Sequence, residues 1–416
     1  MPNIGSDQLM WVLLALVAAA FIIERLLTWI NRRYGKGKGL PEELKAYFDE
    51  EKYARMQAYR QARANFGLLS SVLSTGIMLA LIYFGGFGWL DTVLREYTTH
   101  PIWQPLLYFG VLGLAADLLS LPLQMYDTFV IEERYGFNRT TPSVFVTDKL
   151  KGYLLAAILG GGILAVLVWL VRELGNDFWW IFWIVITVFS LFMSFFYTSW
   201  LLPLFNKLEP LPEGSLRTKL EAYGKEIGYP LDKIFVVNGS KRSSRANAFF
   251  SGFGARKKVV LYDTLIDNHT DEELVAVLAH EIGHYRKKHI FSGIVMSVLQ
   301  TGILLYLASL VIYNGMLSGA LGAIQWSLAV NLIGFTLLFS PLSGLLSLLS
   351  NFISRKHEFQ ADRFAVQTYD GTPLRTALKK LSTDNYENLH PHPLYVFSYY
   401  SHPPLLKRLE AIRKAG

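Results

Sequence analysis

The chain has 416 residues, of which 52% are hydrophobic and only 18% charged; soluble domains carry about 25% charged residues, so a wholly soluble fold is excluded and several membrane spans are expected. The formal net charge of +7 comes without a basic, aromatic-interleaved module, which sets nucleic acid aside as a partner, and basic loops beside membrane spans account for it instead. With no cysteines, disulfides and thiolate metal sites are excluded, and any metal must be held by His, Asp or Glu.

A bilayer-spanning helix needs about 20 mostly apolar residues. Seven stretches meet that condition, near 8–30, 66–90, 103–125, 150–171, 178–200, 290–313 and 324–350. Trp89, Trp103, Trp179 and Trp326 lie near their ends, as interfacial anchors do. No Lys or Arg precedes the first stretch, so it reads as a retained anchor and not as a signal peptide. The third holds Asp117, and the seventh holds Asn331 and Pro341. Intramembrane polar groups face a bundle interior or a wet cavity. Asp117 therefore serves either as a hydrogen bond between helices or as part of a chamber wall.

Loop charges set the orientation. Segment 31–65 holds Arg32, Arg33, Lys36, Lys38, Lys45, Lys52, Arg55, Arg60 and Arg63, and segments 126–149 and 201–289 are also basic. The opposite loops, 91–102, 172–177 and 314–323, are nearly bare. Positive loops stay in the cytoplasm, which places the N-terminus outside and the C-terminus inside. The chain thus divides into spans at 1–200, a cytoplasmic segment at 201–289, further spans at 290–350 and a cytoplasmic segment at 351–416. Within 201–289 the pattern predicts a helix over 213–227, ended by Gly228-Tyr229-Pro230. Short strands follow at 235–237, 248–250 and 259–262, with Gly239, Gly252 and Gly254 as turns. The expected fold is an all-α polytopic membrane protein of seven transmembrane helices carrying a small cytoplasmic α/β domain.

Thr270-Asp271-Glu272-Glu273 is a capping box that opens a helix running through 274–279 into His280-Glu281-Ile282-Gly283-His284. Residues i and i+4 share a helical face, so His280 and His284 can grip one zinc ion with Glu281 beside them as general base. Zinc brings the pKa of water near neutrality, and a carboxylate can take the proton and later deliver it to the leaving amine. His289 reads as a solvated or headgroup-facing histidine. A catalytic zinc needs a third protein ligand, and the candidate is Glu358. Asp362, one turn on, is placed to accept a hydrogen bond from a ligand imidazole. Spacing alone leaves two other readings open. One is an ordinary charged helix with an Arg355–Glu358 pair; the other is His357 as the ligand, although it points away from the Glu358–Asp362 face.

The residues Tyr126 to Glu133, Tyr135-Gly136-Phe137-Asn138, Asn238 to Ser244, Asn247-Ala248, the His280 motif, Ser354 to Asp362 and Ser401-His402-Pro403-Pro404 carry a resemblance that covers nearly the whole chain. It resembles the integral-membrane CAAX prenyl protease family, type I, whose members remove the C-terminal tripeptide from prenylated proteins. The resemblance implies seven long helices around a water-filled chamber, with a zinc site at its cytoplasmic side. It implies Glu358 as third ligand, Asp362 and Arg355 in support, Asn247 with Ala248 holding the substrate backbone, and His402 stabilising the tetrahedral intermediate. The expected function is therefore a zinc metalloendopeptidase acting in the bilayer on peptide or protein substrates, prenylated ones included. Two alternatives stand beside it: a membrane quality-control protease without CAAX specificity, and a transporter or binding protein with a structural zinc. The lack of a long insertion or C-terminal extension points to a bacterial inner membrane over the endoplasmic reticulum, with the active site on the cytoplasmic side.

The orientation has a direct check. Asn138 and Asn268 each begin an Asn-X-Thr sequon. Expressed in a eukaryotic host, neither is expected to acquire glycan, because both loops face the cytoplasm; an endoglycosidase-sensitive shift on a gel for either residue contradicts the topology.

Overall fold

The computed structural model describes residues 5–229, 231, 233–251 and 258–416. Two long helices open the chain and pack together, α1 (Ser6–Gly35) and α2 (Glu50–Tyr83). Gly85, at φ 67°, breaks the path before α3 (Gly86–Arg95). The expected stretch 66–90 therefore contains a helix end, at a residue whose left-handed backbone suits glycine. Next comes α4 (Trp103–Tyr126), which continues through a π-helical turn at Asp127–Glu132. The run Pro142–Phe205 follows, comprising α5 (Pro142–Leu155), α6 (Gly161–Leu174), α7 (Phe178–Phe196) and α8 (Leu202–Phe205).

Among the described residues, five helical runs are long and apolar enough to cross a membrane, or six if one bent pair counts as a span. Seven stretches were expected from the sequence. The difference arises where 150–171 and 178–200 share one 64-residue helical run. That run is turned at Gly175, φ 56°, and α6 packs against α7 across the turn. In α1 only 6% of the apolar window is buried inside the protein. Its Trp11, Ile22, Ile23 and Trp29 point outward, as lipid-facing side chains must.

The α/β unit holds β1 (Leu208–Pro210), α9 (Ser215–Glu226), β2 (Ile234–Val237), β3 (Ala248–Ser251), β4 (Lys258–Tyr262), α10 (Asp263–Asn268) and α11 (Asp271–Arg286). The sheet order is β1-β2-β4-β3. β2 and β4 are parallel, with Val237 opposite Tyr262, while β1 and β3 run antiparallel to their neighbours. β1 was not expected from the sequence. It is three residues long and ends on Pro210, which a strand tolerates at a sheet edge. Gly239 lies in a tight turn where a Cβ would sit 2.2 Å from the Tyr262 ring. Gly252 and Gly254 lie outside the described residues.

The chain then passes through α12 (His289–Val311), α13 (Gly315–Ala320), α14 (Leu328–Leu338), α15 (Ser340–Thr368), α16 (Gly371–Asp384), α17 (Pro393–Tyr399) and α18 (Leu405–Ala415). The expected stretch 324–350 bends by 53° between α14 and α15, where Pro341 occupies the first turn of the new helix, a position that has no helical hydrogen bond to lose. α15 runs unbroken past residue 350, so one helix carries apolar membrane residues at its start and the Glu358 segment near its end.

Around the middle of α11 the packing is dense. Leu274 through Ala279 and Ile282 are buried, in a core shared with Leu44 and Phe48 from the segment between α1 and α2, with Met56 of α2 and with Leu374, Leu405, Leu409 and Ile412 from the C-terminal helices. The unit that holds α11 is therefore assembled from pieces far apart in the chain. α11 crosses α15 closely at Gly283, where an added Cβ would meet Ala361 Cα at 3.0 Å and Ala361 O at 3.1 Å. Gly283→Ala is expected to push the helices apart at a cost of about 1–3 kcal/mol. The checks are a lower thermal midpoint and weaker metal retention during dialysis against a graded chelator.

Candidate metal centre

The N-terminus of α11 is pinned before the helix reaches its histidines. Thr270 Oγ1 accepts from the Glu273 N–H at 3.3 Å, and Glu273 Oε2 accepts from the Thr270 N–H at 3.0 Å. Lys380 Nζ also reaches Glu273 Oε2, at 2.7 Å. One turn apart on that rigid helix, His280 and His284 turn their Nε2 atoms to within 3.1 Å of each other. α15 brings Glu358 to the same point, 3.5 Å from His280 Nε2 and 3.3 Å from His284 Nε2. An ion about 2.0–2.1 Å from each of three ligand atoms in a tetrahedron holds them about 3.3–3.4 Å apart. The Nε2–Nε2 separation and the two nitrogen–oxygen separations, to Glu358 Oε2 from His280 and to Oε1 from His284, lie close to that value. Glu358 Oε2 is buried with no hydrogen-bond partner, a costly state for a carboxylate oxygen that a cation would relieve. The donor set and its spacing fit a divalent metal.

The imidazoles are held from behind. His280 Nδ1 lies 2.8 Å from Asp362 Oδ1, which fixes the tautomer that presents a lone pair on Nε2. Burial works to lower the His280 pKa, but the hydrogen bond to Asp362 and its charge outweigh it and the net shift is upward. Asp362 is gripped in turn by Arg408, whose Nε and Nη2 donate to its two oxygens at 2.9 and 2.7 Å. Arg408 Nη1 stands 3.4 Å from Glu358 Oε2. The sequence reading missed Arg408. The signal was present: it shares the apolar face of α18 with Leu405, Leu409 and Ile412, an unusual place for an arginine with no buried partner.

His284 has a second support. His289 is buried, against the expectation of a solvated histidine, because the turn from α11 into α12 folds it back onto the centre. Its Nδ1 lies 3.1 Å from His284 Nδ1, and its Nε2 lies 2.8 Å from Gln360 Oε1. With His284 Nε2 turned to the metal, only one proton order satisfies every contact. His284 Nδ1–H donates to His289 Nδ1, and His289 Nε2–H donates to Gln360. His357 stacks on the His289 ring at 3.9 Å, with 9° between the planes.

Glu281 is half-buried and lines a cavity of about 780 Å³ together with His280, His284 and Glu358. Loss of solvent raises its pKa, and His280 and His284 oppose the shift. The same cavity is lined by Asn247, Ala248 and His402. His402 Nε2 lies 3.4 Å from Glu358 Oε1, and its Nδ1 lies 3.0 Å from Ser401 Oγ. Arg355, expected beside the ligands, reaches elsewhere. Its Nη1 donates to the carbonyls of Val396 and Tyr400 at 3.1 and 2.5 Å, because its position on α15 faces α17 and not α11. It thereby ties down the segment that leads into Ser401 and His402. β3 carries Ala248 at the sheet edge, and among the described residues no strand pairs with its outer side.

Residues 31–207 match the family profile described as CAAX prenyl protease N-terminal, five membrane helices, and residues 210–415 match peptidase family M48. The chain is 32% identical to CAAX prenyl protease 1 of Saccharomyces cerevisiae, over 95% of this chain and 93% of that one. It is 31% identical to the human CAAX prenyl protease 1 homolog, over 94% and 93%. The crystal structure of S. mikatae Ste24p superposes with a TM-score of 0.92 at 32% identity, covering 97% of this chain and 99% of that one. The chain belongs to the type I CAAX prenyl protease family. It is a membrane-embedded metalloprotease, and the reading as a transporter with a structural metal is set aside.

Family membership corrects one expectation. The relatives found include yeast, plant and animal proteins, so the preference for a bacterial inner membrane is overturned. That preference rested on the lack of long insertions. The alignment with the yeast protein spans 420 residues and nearly all of both chains, so compactness does not distinguish this chain from eukaryotic members.

The hydrogen-bonded chain behind His284 can be tested on metal affinity. His289→Ala is expected to weaken metal binding about 10–100-fold, measured by competition with a chromophoric chelator, and Gln360→Ala to weaken it less. Wild-type affinity in His289→Ala removes that supporting role.

Proposed function

We propose that the chain is a zinc endopeptidase that cleaves CAAX-type, prenylated peptides near their C-terminus. The observation that carries this reading is the His280–His284–Glu358 cluster opening into a cavity that an edge strand, β3, also borders. The metalloprotease family and the CAAX prenyl proteases among its relatives support it. Zinc is the metal that a two-histidine, one-carboxylate set with an adjacent base suits. Bound in this cradle, it would supply Lewis acidity toward an attacking water and the scissile carbonyl.

The chain's own residues then divide the work. Glu281 takes the proton from the attacking water and delivers it to the departing amine; its raised pKa moves it toward that task. His402, at the cavity wall, donates a hydrogen bond to the carbonyl oxygen as charge builds on it. Asn247 and Ala248 hold the substrate backbone in extended form, the outer side of β3 offering it a strand to pair with. Asp362 and Arg408 keep His280 oriented throughout, and Arg355 keeps the His402 segment in place. Ile290, Met296 and Ile353 line the same cavity and give an apolar modification a dry wall.

The test is purified protein digesting a farnesylated CAAX peptide, followed by mass spectrometry. Cleavage near the C-terminus is expected, to be abolished by 1,10-phenanthroline and restored by zinc. Glu281→Gln should retain metal and lose about 10²–10⁴ in rate. If that variant cuts as fast as wild type, the assignment of Glu281 is wrong. If an unmodified peptide is cut as fast as the farnesylated one, the prenyl preference is wrong and a general membrane-protein protease is favoured.

A further inference from the structure

A second cavity, of about 710 Å³, opens at the end of the Pro142–Phe205 run and shares no lining residue with the metal-site cavity. Lys151, Lys207, Lys241 and Lys258 line it, with Glu209 as the one acidic lining residue among the described residues. The lysines come from three places: α5, the chain leaving α8, and the small sheet with its following turn. Lys151 Nζ donates to the Leu204 carbonyl at 2.7 Å, and Lys258 Nζ donates to Ser199 Oγ at 3.0 Å. Both acceptors are neutral. Among the described residues, none of the four lysines forms an ion pair. The nearby Asp148 is hydrogen-bonded by Arg242, at 2.7 and 2.9 Å, and feels the charges of Lys151 and Lys241 without an ion pair to either. Burial, with Lys233 adding to it, lowers the Lys258 pKa, in keeping with an ammonium that lacks an anion.

The surroundings say what kind of anion comes here. Trp200 is 57% and Leu204 46% exposed on the adjoining helical turns, and Tyr197 beside them is also exposed. Aromatic residues at the end of an apolar run mark the headgroup level of a bilayer, and lysines at that level attract anionic lipid. We propose that this cleft binds the phosphate headgroup of an anionic phospholipid, held between Lys151 on the membrane helices and Lys207, Lys241 and Lys258 on the sheet. Lysine serves phosphate as a point charge with three donors. The bound headgroup bridges two bodies of the protein, so it also fastens the sheet that carries β3 to the spans.

Native mass spectrometry of the full chain, released from nanodiscs of phosphatidylglycerol mixed with phosphatidylcholine, tests the proposal. Wild type should retain phosphatidylglycerol, and the variant with Lys151, Lys207, Lys241 and Lys258 all changed to Gln should retain at least tenfold less. Phosphatidylcholine retention should not change. Changing the four to Arg should restore retention. Wild type should also unfold several degrees higher in phosphatidylglycerol than in phosphatidylcholine, a gain the Gln variant lacks. Should the quadruple variant fail to fold in neutral lipid, Lys151→Gln and Lys258→Gln are measured singly, and each should lower retention. Equal retention by the Gln variants overturns the proposal. So does an equal thermal gain from soluble glycerol phosphate in neutral lipid, which would make the cleft a free-phosphate site. An acidic peptide that displaces the lipid from wild type also overturns it, in favour of a protein partner.

Discussion

The structure depends on burying a carboxylate beside two imidazoles and making that tolerable. Removing a carboxylate from water costs several kcal/mol even after relaxation. Glu358 is nearly buried, and its Oε2 has no hydrogen-bond partner. Two features offset the cost: a cation-shaped gap between Glu358, His280 and His284, and the guanidinium of Arg408 at 3.4 Å. Arg408 and Asp362 in turn neutralise each other through two donated hydrogen bonds. The charges around the centre form one closed set, so removing any member strands another in a dry environment. The close crossing of α11 and α15 at Gly283 sets the distance over which this set can act.

The membrane part and the catalytic part are continuous. α12 begins at His289, directly after the turn that ends α11, so the first residue of a membrane-capable helix stands against a candidate metal ligand. α15 begins among apolar residues and ends beyond Asp362. Its side chains reach three ways: Glu358 and Asp362 to the centre, Gln360 to His289, and Arg355 to α17. A shift of α15 along its axis would disturb all three together. The cavity is lined jointly by α11, the edge of the sheet, α12 and α15, with apolar side chains such as Ile290, Met296 and Ile353 set among polar ones such as Ser292, Gln300 and Ser354.

The N-terminal half contributes more than an anchor. Leu44, Phe48 and Met56 enter the core around α11. The π-helical turn after α4 aims Glu132 at Tyr59 and Arg245, at 2.6 and 2.9 Å, two residues before Asn247. π-turns recur at functional positions because they re-aim side chains within a helix. Here the turn anchors the approach to β3 on the membrane helices through Tyr59, Glu132 and Arg245, none of which lines the lysine cleft. The sheet is thus held to the spans at two separate places.

Much of this was legible in the sequence because it depends on short spacings. Two histidines four apart on a capped helix must share a face, and long apolar runs must seek lipid, whatever the rest of the chain does. The span boundaries were less legible, because hydropathy registers apolar length and cannot see where 142–205 turns at Gly175, or that α15 continues past its apolar half. Arg408, Gln360 and the role of His289 were beyond the sequence. Their partners lie 46, 71 and 5 residues away, and even the nearest depends on a turn whose direction no periodicity encodes. The sequence alone determined which side chains could hold a metal and that the chain lives in a membrane. Only the tertiary structure decided which distant charges neutralise the buried carboxylates, because that choice is made by how helices cross and not by how residues are spaced along them.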